Sequence, residues 1–145
     1  MKYFKLTLFS FVIALSLSVV CVFAIDGYAG VASVQLPSFK GEAKILSATK
    51  TEEGAQYYKN AGTIDNLTGN QVSIKVRTCG TSGMGSGLYT GYIQLSPQQR
   101  GTWGNSAVNI FNGNYDLYAR RVTNSLAKST HSGVWWLNPS LLPPE

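Results

Sequence analysis

In Gln71-Val72-Ser73-Ile74-Lys75-Val76-Arg77-Thr78, polar and apolar side chains alternate from Gln71 through Arg77. Successive strand side chains point to opposite faces, so Val72, Ile74 and Val76 share one face while Ser73, Lys75 and Arg77 share the other. Further β-rich runs are Val31–Leu36, Ala43–Lys50, Ala55–Ala61, Leu88–Leu95, Ser106–Phe111, Tyr115–Thr123 and Gly133–Leu137. Turn-forming residues separate them, at Glu52-Glu53-Gly54, Asp65 to Asn70, Pro97 to Gly101, Asn112-Gly113-Asn114 and Ser129 to Ser132. Asn112-Gly113-Asn114 is expected to close a hairpin between Ser106–Phe111 and Tyr115–Thr123. No stretch beyond residue 24 repeats apolar residues at helical spacing over three turns. The pattern predicts an all-β chain, a single small antiparallel β-sandwich of about 7–8 strands.

The sandwich is expected to follow a secretory signal peptide. Lys2 and Lys5 precede an apolar run from Leu6 to Ala24 that ends in Val22-Phe23-Ala24. A positive start, an apolar middle and a small residue at the cut are the layout of an export signal. Cleavage is expected after Ala24, with a cut after Ala29 as the second choice. An uncleaved anchor is the main competitor, because the run approaches the ~20 apolar residues that span a bilayer. Thr7, Ser10, Ser16 and Ser18 interrupt it, however, and the next basic residue is Lys40. Lipidation at Cys21 would need a small residue before it, and Val20 stands there. Residues 1–24 thus read as signal, 25–138 as the domain, and 139–145, with three prolines, as a tail that cannot continue a ladder. There is no internal repeat and no linker.

Removing the signal changes what the chain can do. Of 12 Lys and Arg, Lys2 and Lys5 are lost, leaving 10 against 7 acids, a net charge of +3. That is mildly basic and unclustered, which excludes a nucleic-acid footprint. Cys21 is lost as well, so Cys79 is the sole remaining thiol. A lone cysteine excludes an internal disulfide and a cysteine zinc cage. Small animal secreted domains usually rely on disulfides, so their absence points to export from a bacterium, a Gram-positive one. Asn66-Leu67-Thr68 matches a glycosylation sequon but is read as a turn.

Residues that could carry covalent chemistry are few. Cys79 and His131 could in principle form an activated nucleophile. The simpler reading makes Cys79 a small packed residue at a strand end and His131 a loop residue. The acids are dispersed, and Asp116 would meet Glu42 or Asp65 across a glycosidic bond only by coincidence of folding. One histidine and no calcium-type Asp/Asn loop argue against a metal. Cys79 to Gly87 is glycine-rich, but its spacing is wrong for a phosphate cradle and no helix follows. It reads as a mobile strand connection. No catalytic residue, metal or cofactor is expected.

The aromatics carry the functional reading. Trp135 and Trp136 are adjacent, so in a strand they face opposite sides, as do Tyr57 and Tyr58. Tyr89, Ile93 and Leu95 share one parity, leaving Tyr92 opposite; Leu117 and Ala119 point inward, leaving Tyr118 and Arg120 outward. Tyr58, Tyr92, Tyr118 and one of Trp135 and Trp136, with Lys75, Arg77 and Arg120, are expected to form an outward aromatic-basic face. Ordinary cross-strand pairing is the competing reading of these rings. Such a face suits a cell-wall polymer, a glycan or an anionic membrane surface.

Gln56-Tyr57-Tyr58-Lys59-Asn60, the glycine loop Gly83 to Gly87 and Ser132-Gly133-Val134-Trp135-Trp136-Leu137-Asn138 together resemble small exported β-sandwich proteins of Gram-positive bacteria. The resemblance spans most of residues 55–138 and implies export and the sandwich fold. The expected function is a secreted, non-enzymatic binding or interaction module at the cell envelope. The alternative is a secreted, bacteriocin-like antimicrobial or a membrane-active toxin.

Overall fold

The alternation read in residues 71–78 recurs, with local shifts, in two antiparallel sheets that face one another across a single core. The structure, a computed structural model, describes residues 23–25, 27–64, 71–80, 83–85, 87–104, 107–123, 126 and 129–143. The strands are β1 (Phe23–Ile25), β2 (Tyr28–Leu36), β3 (Glu42–Lys50), β4 (Tyr57–Ile64), β5 (Val72–Thr78), β6 (Ile93–Leu95), β7 (Arg100–Thr102), β8 (Gly113–Arg121) and β9 (Ser129–Trp136). One sheet runs β1-β2-β9-β4-β7 and the other β3-β8-β5-β6. The chain changes sheet at almost every connection, so few pairings are local. The small all-β sandwich expected from the sequence is the observed architecture.

The core follows strand parity where strands are regular. Val72, Ile74 and Val76 of β5 and Leu117 and Ala119 of β8 have no exposed surface. Bulges break parity elsewhere. Between Lys44 and Leu46 the β3–β8 register shifts, so Ile45 and Leu46 are both buried although adjacent. A shift between Val31 and Val34, with Ser33 at a φ of 52°, likewise lets both valines reach the core from one strand.

Several segments depart from expectation: Ser129 to Ser132, read as a turn, begins β9, and of the run Leu88–Leu95 only Ile93–Leu95 is a strand. Residues 107–109 form a single 3-10 turn rather than a strand, so the predicted hairpin at Asn112-Gly113-Asn114 does not form. Gly113 instead begins β8 and pairs with Lys50 across the sheet. The turn is held by polar groups: Lys50 Nζ donates to the Asn109 carbonyl at 2.9 Å, and Gln56 Nε2 donates to that of Val108 at 2.8 Å. The stretch Pro97 to Gly101, read as a turn, contains the start of β7. Gly101 permits this, since a Cβ there would lie 2.7 Å from Leu95 Cδ2. The predicted turn at 65–70 and residues 1–22 of the predicted export signal 1–24 lie outside the described residues, while its last two, Phe23 and Ala24, lie in β1 opposite Gly30 and Ala29.

β9 is the central strand of its sheet, and its inward face is built by compensation. Gly133 leaves a gap that Tyr58 fills from β4: a Cβ on Gly133 would sit 1.9 Å from the Tyr58 hydroxyl and 2.9 Å from the Lys59 carbonyl. Two positions further on, Trp135 is fully buried and donates its Nε1–H to Gln56 Oε1 at 3.1 Å. The segment after β9 is tied to Gly27 and to the turn after β3. Leu137 and Asn138 N–H both donate to the Gly27 carbonyl, and Asn138 Oδ1 accepts from the Thr51 and Glu52 amides. Ser140 continues the contact through its Oγ–H to Glu52.

Two outcomes follow for stability. Gly133→Ala is expected to cost about 3 kcal/mol or more through overpacking, and less once Tyr58 is shortened to Leu. Urea unfolding of the single and double variants measures this; equal costs in both backgrounds would show that the two residues do not compete for space. A chain lacking residues 1–24 should unfold cooperatively, whereas one lacking 1–29 should not. The longer deletion removes the Gly27 carbonyl and fully buried Ala29, and calorimetry distinguishes the two.

Candidate functional site

The outer face of the four-stranded sheet gathers the charged and tyrosine side chains. In register, β8 lies between β3 and β5, so Lys44, Tyr118 and Lys75 form one row and Glu42, Arg120 and Ser73 the next. The segment before β6 folds over this surface, and an isolated bridge places Tyr89 beside Arg77. Lys75 Nζ thus sits 4.1 Å from the Tyr89 ring centre, 5.0 Å from Tyr92 and 5.6 Å from Tyr118. The Arg120 guanidinium lies 3.7 Å over Tyr92, and Tyr89 and Tyr118 meet edge to face at 5.7 Å.

Two carboxylates organise these cations. Glu42 pairs with Lys75 at 2.5 Å and accepts the Tyr92 hydroxyl. Asp116 pairs with Lys44 at 2.8 Å, lies 4.0 Å from Arg77 and accepts the Ser47 hydroxyl at 2.5 Å. Burial alone would push both acids up. Hydrogen bonds from Lys75 and Tyr92 nevertheless hold Glu42 below the usual carboxylate range, and those from Lys44, Ser47 and Cys79 do the same for Asp116. Burial would lower Lys75, but its bonds to Glu42 and Tyr92 raise it overall. The face therefore holds fixed charges, with four cations against two anions.

Five of the eight residues expected in the aromatic-basic face are brought together there: Tyr92, Tyr118, Lys75, Arg77 and Arg120. Three are not. Tyr58 is fully buried and bonds to His131, and Trp135 fills the core between the sheets. Trp136 does face away from the core, but on the other sheet, between Tyr28 and Tyr57 in register, and only 6% of its surface is exposed. The inward turn of Tyr58 has a specific cause. Its parity partners Gln56 and Asn60 are polar, yet both are buried, with Asn60 Nδ2 donating to the Leu95 carbonyl at 3.1 Å. Polar residues on the inner face made that face resemble the outside. Tyr89 joins the site although its parity with Ile93 and Leu95 pointed inward. Thr90 to Tyr92 do not continue β6, so parity is not carried back across them.

Cys79 and His131, the two candidates for an activated nucleophile, belong to different sheets. Cys79 follows β5 on the outer face, where burial and its bond to Asp116 raise the thiol above its ordinary value, which disfavours the reactive thiolate. His131 is no loop residue: it is fully buried on the inward face of β9 in the other sheet. Glu42 lies opposite Arg120 and Asp116 opposite Ser47, four residues along β8; Asp65 lies outside the described residues. Among the described residues no group of three His, Cys, Asp or Glu is placed to hold a metal. The glycine loop is anchored in part: Thr78 Oγ1 donates to the Gly85 carbonyl at 2.6 Å, and Met84 packs on the core. Comparison with protein-family models, curated proteins and solved structures returned no match.

His131 gives this protein a definable acid sensitivity. Burial keeps its ring neutral, lowering its pKa to about 4, and the Tyr58 hydroxyl lies 2.6 Å from Nε2. Because the folded pKa lies below the unfolded value of 6.5, the unfolded chain binds the proton more readily. Stability is complete above pH 6.5 and falls by about 2–3 kcal/mol as pH drops toward 4. Urea unfolding at pH 7 and 4.5 should show this loss, reduced in His131→Gln. Equal loss in both proteins would assign it to the carboxylates instead.

Proposed function

We propose that this protein is a secreted, non-enzymatic binding module of the bacterial cell envelope that engages an anionic wall polymer or glycan through the Tyr89–Tyr92–Tyr118 face. One observation carries the reading: Lys75 is enclosed by three tyrosine rings at 4.1–5.6 Å on an open sheet surface, with Arg120 stacked beside them. Rings with polar edges and cations fixed at their faces suit sugar rings with anionic substituents. The surplus of cations over carboxylates on the face favours an anionic partner. Tyr89 is 51% exposed, so part of its surface is within reach of a ligand. Export is supported by residues 1–24 and their signal-like layout.

A membrane-active role is the second reading, favoured by exposed Leu88 beside Tyr89. The two separate in one experiment. Sedimentation with purified cell-wall material should capture the protein, and Tyr89→Ala or Arg120→Gln should weaken capture at least about fivefold, in line with 1–2 kcal/mol per cation–π or charge contact. Anionic liposomes loaded with dye should not leak. Leakage without wall capture would replace the module reading by the toxin one.

A further inference from the structure

We infer that a cleft between the edges of the two sheets is a subsite for an uncharged sugar ring. It rests on the reading of the tyrosine face as a glycan-binding surface and deepens it, by naming the sugar unit held beside that face. β6 and β7 are edge strands of their respective sheets and meet along one side of the sandwich. Gly101 permits the approach, since a Cβ there would lie 2.7 Å from Leu95 Cδ2 and 3.4 Å from Ile93 Cδ1. A cleft of about 300 Å³ opens at this edge, at the lower end of the about 300–1,000 Å³ typical of small-molecule sites. Thr90, Gly91, Tyr92 and Ile93 line it from the segment that leads into β6, and Thr102 and Trp103 from the end of β7.

Three features point to a ligand of this kind. First, Thr102 Oγ1 and Trp103 Nε1, on adjacent residues of the wall, are buried and have no hydrogen-bond partner. Buried polar groups are nearly always paired, and one left unpaired keeps its full desolvation cost. A ligand that offers an acceptor to the indole N–H and a hydroxyl to Thr102 removes that cost. Both atoms are covered by protein, so a small turn of the two side chains brings them to the ligand. Second, the lining combines two aromatic rings, Tyr92 and Trp103, with Ile93 and includes no charged side chain. Third, Tyr92 belongs both to the cleft and to the tyrosine face, where the Arg120 guanidinium lies 3.7 Å from its ring centre.

Aromatic walls with two unpaired polar groups select a ring that has an apolar face and hydroxyls at its edge. A sugar ring offers C–H groups to Tyr92 and Trp103 and hydroxyls to Thr102 Oγ1 and the indole N–H. An ionic group would find no counter-charge in the lining, so the unit held here is uncharged. Because Tyr92 is shared, a saccharide seated in the cleft continues onto the tyrosine face, where Lys75 and Arg120 receive an anionic unit of the same polymer.

The test is titration of the full protein with glucose, N-acetylglucosamine and indole, followed through amide and indole NMR signals. At least one of the sugars should shift the Trp103 indole N–H and the Gly91 and Thr102 amides, with a dissociation constant near the millimolar range. Its affinity should be the same at about 0.1 M and about 1 M salt, because no charge pair forms. Trp103→Phe keeps an aromatic ring and removes the N–H donor, and should weaken binding about fivefold or more. Gly91→Leu should abolish binding by filling the cleft; a Cβ at this position meets nothing within 4 Å, so the fold accommodates it. Thermal unfolding unaltered from the parent protein would establish that both variants fold. Undiminished binding in Trp103→Phe, response to indole alone, shifts confined to Tyr89 and Tyr118, or no shift at all would each overturn the cleft assignment. Wall capture without any sugar response at Trp103 would overturn the cleft and leave the tyrosine face standing. A sugar response at Trp103 without wall capture would support the cleft and remove the reading of the face, so the two can fail separately.

Discussion

The packing of Tyr58 over Gly133 is the contact on which the five-stranded sheet depends. β9 pairs on one side with β2 and on the other with β4. Gly133 alone would leave the middle of that strand without side-chain packing, at a cost in strand stability. Tyr58 supplies the missing volume from the neighbouring strand, and its hydroxyl finds His131 two residues away on β9. One ring thereby fills a void, pairs a buried polar group and locks β4 to β9. Trp135 and Gln56 repeat the device one step along the sheet. With Cys79 a free thiol, such paired buried groups hold the layers in place.

One of the two inner strands of the other sheet, β8, also comes from the last third of the chain. Neither sheet is complete until residues 113–136 are in place, so most pairings close long loops and folding is expected to be slow. The short edges β1, β6 and β7, and the bulge in the long edge strand β3, blunt edge-to-edge association.

The two outer faces differ in how they handle charge. On the four-stranded sheet, lysines are neutralised by Glu42 and Asp116 and braced by tyrosine rings, so the surface is preorganised. On the five-stranded sheet, two cations oppose each other above an apolar floor. The first arrangement presents rings at little cost in ordering.

How far the sequence could be read depended on which physical signal each segment obeyed. Simple alternation in residues 72–76 and 117–119 located the core faces of β5 and β8 and, by complement, placed Lys75, Arg77, Tyr118 and Arg120 outside. Adjacency put Trp135 and Trp136 on opposite faces. Alternation failed wherever hydrogen bonding replaced hydrophobicity as the reason for burial, as at Gln56, Asn60 and His131, and wherever strand geometry lapsed, as at Tyr89 and residues 107–109. What the sequence determined by itself is the class of fold and the local inside and outside of each regular strand, because both are period-two properties of neighbouring residues. Only the tertiary structure decided which strands share a sheet. It thereby separated Trp136 from Tyr92 and Tyr118, joined Tyr89 to them, and set Lys59 against Arg100, since pairing between residues tens of positions apart leaves no local trace.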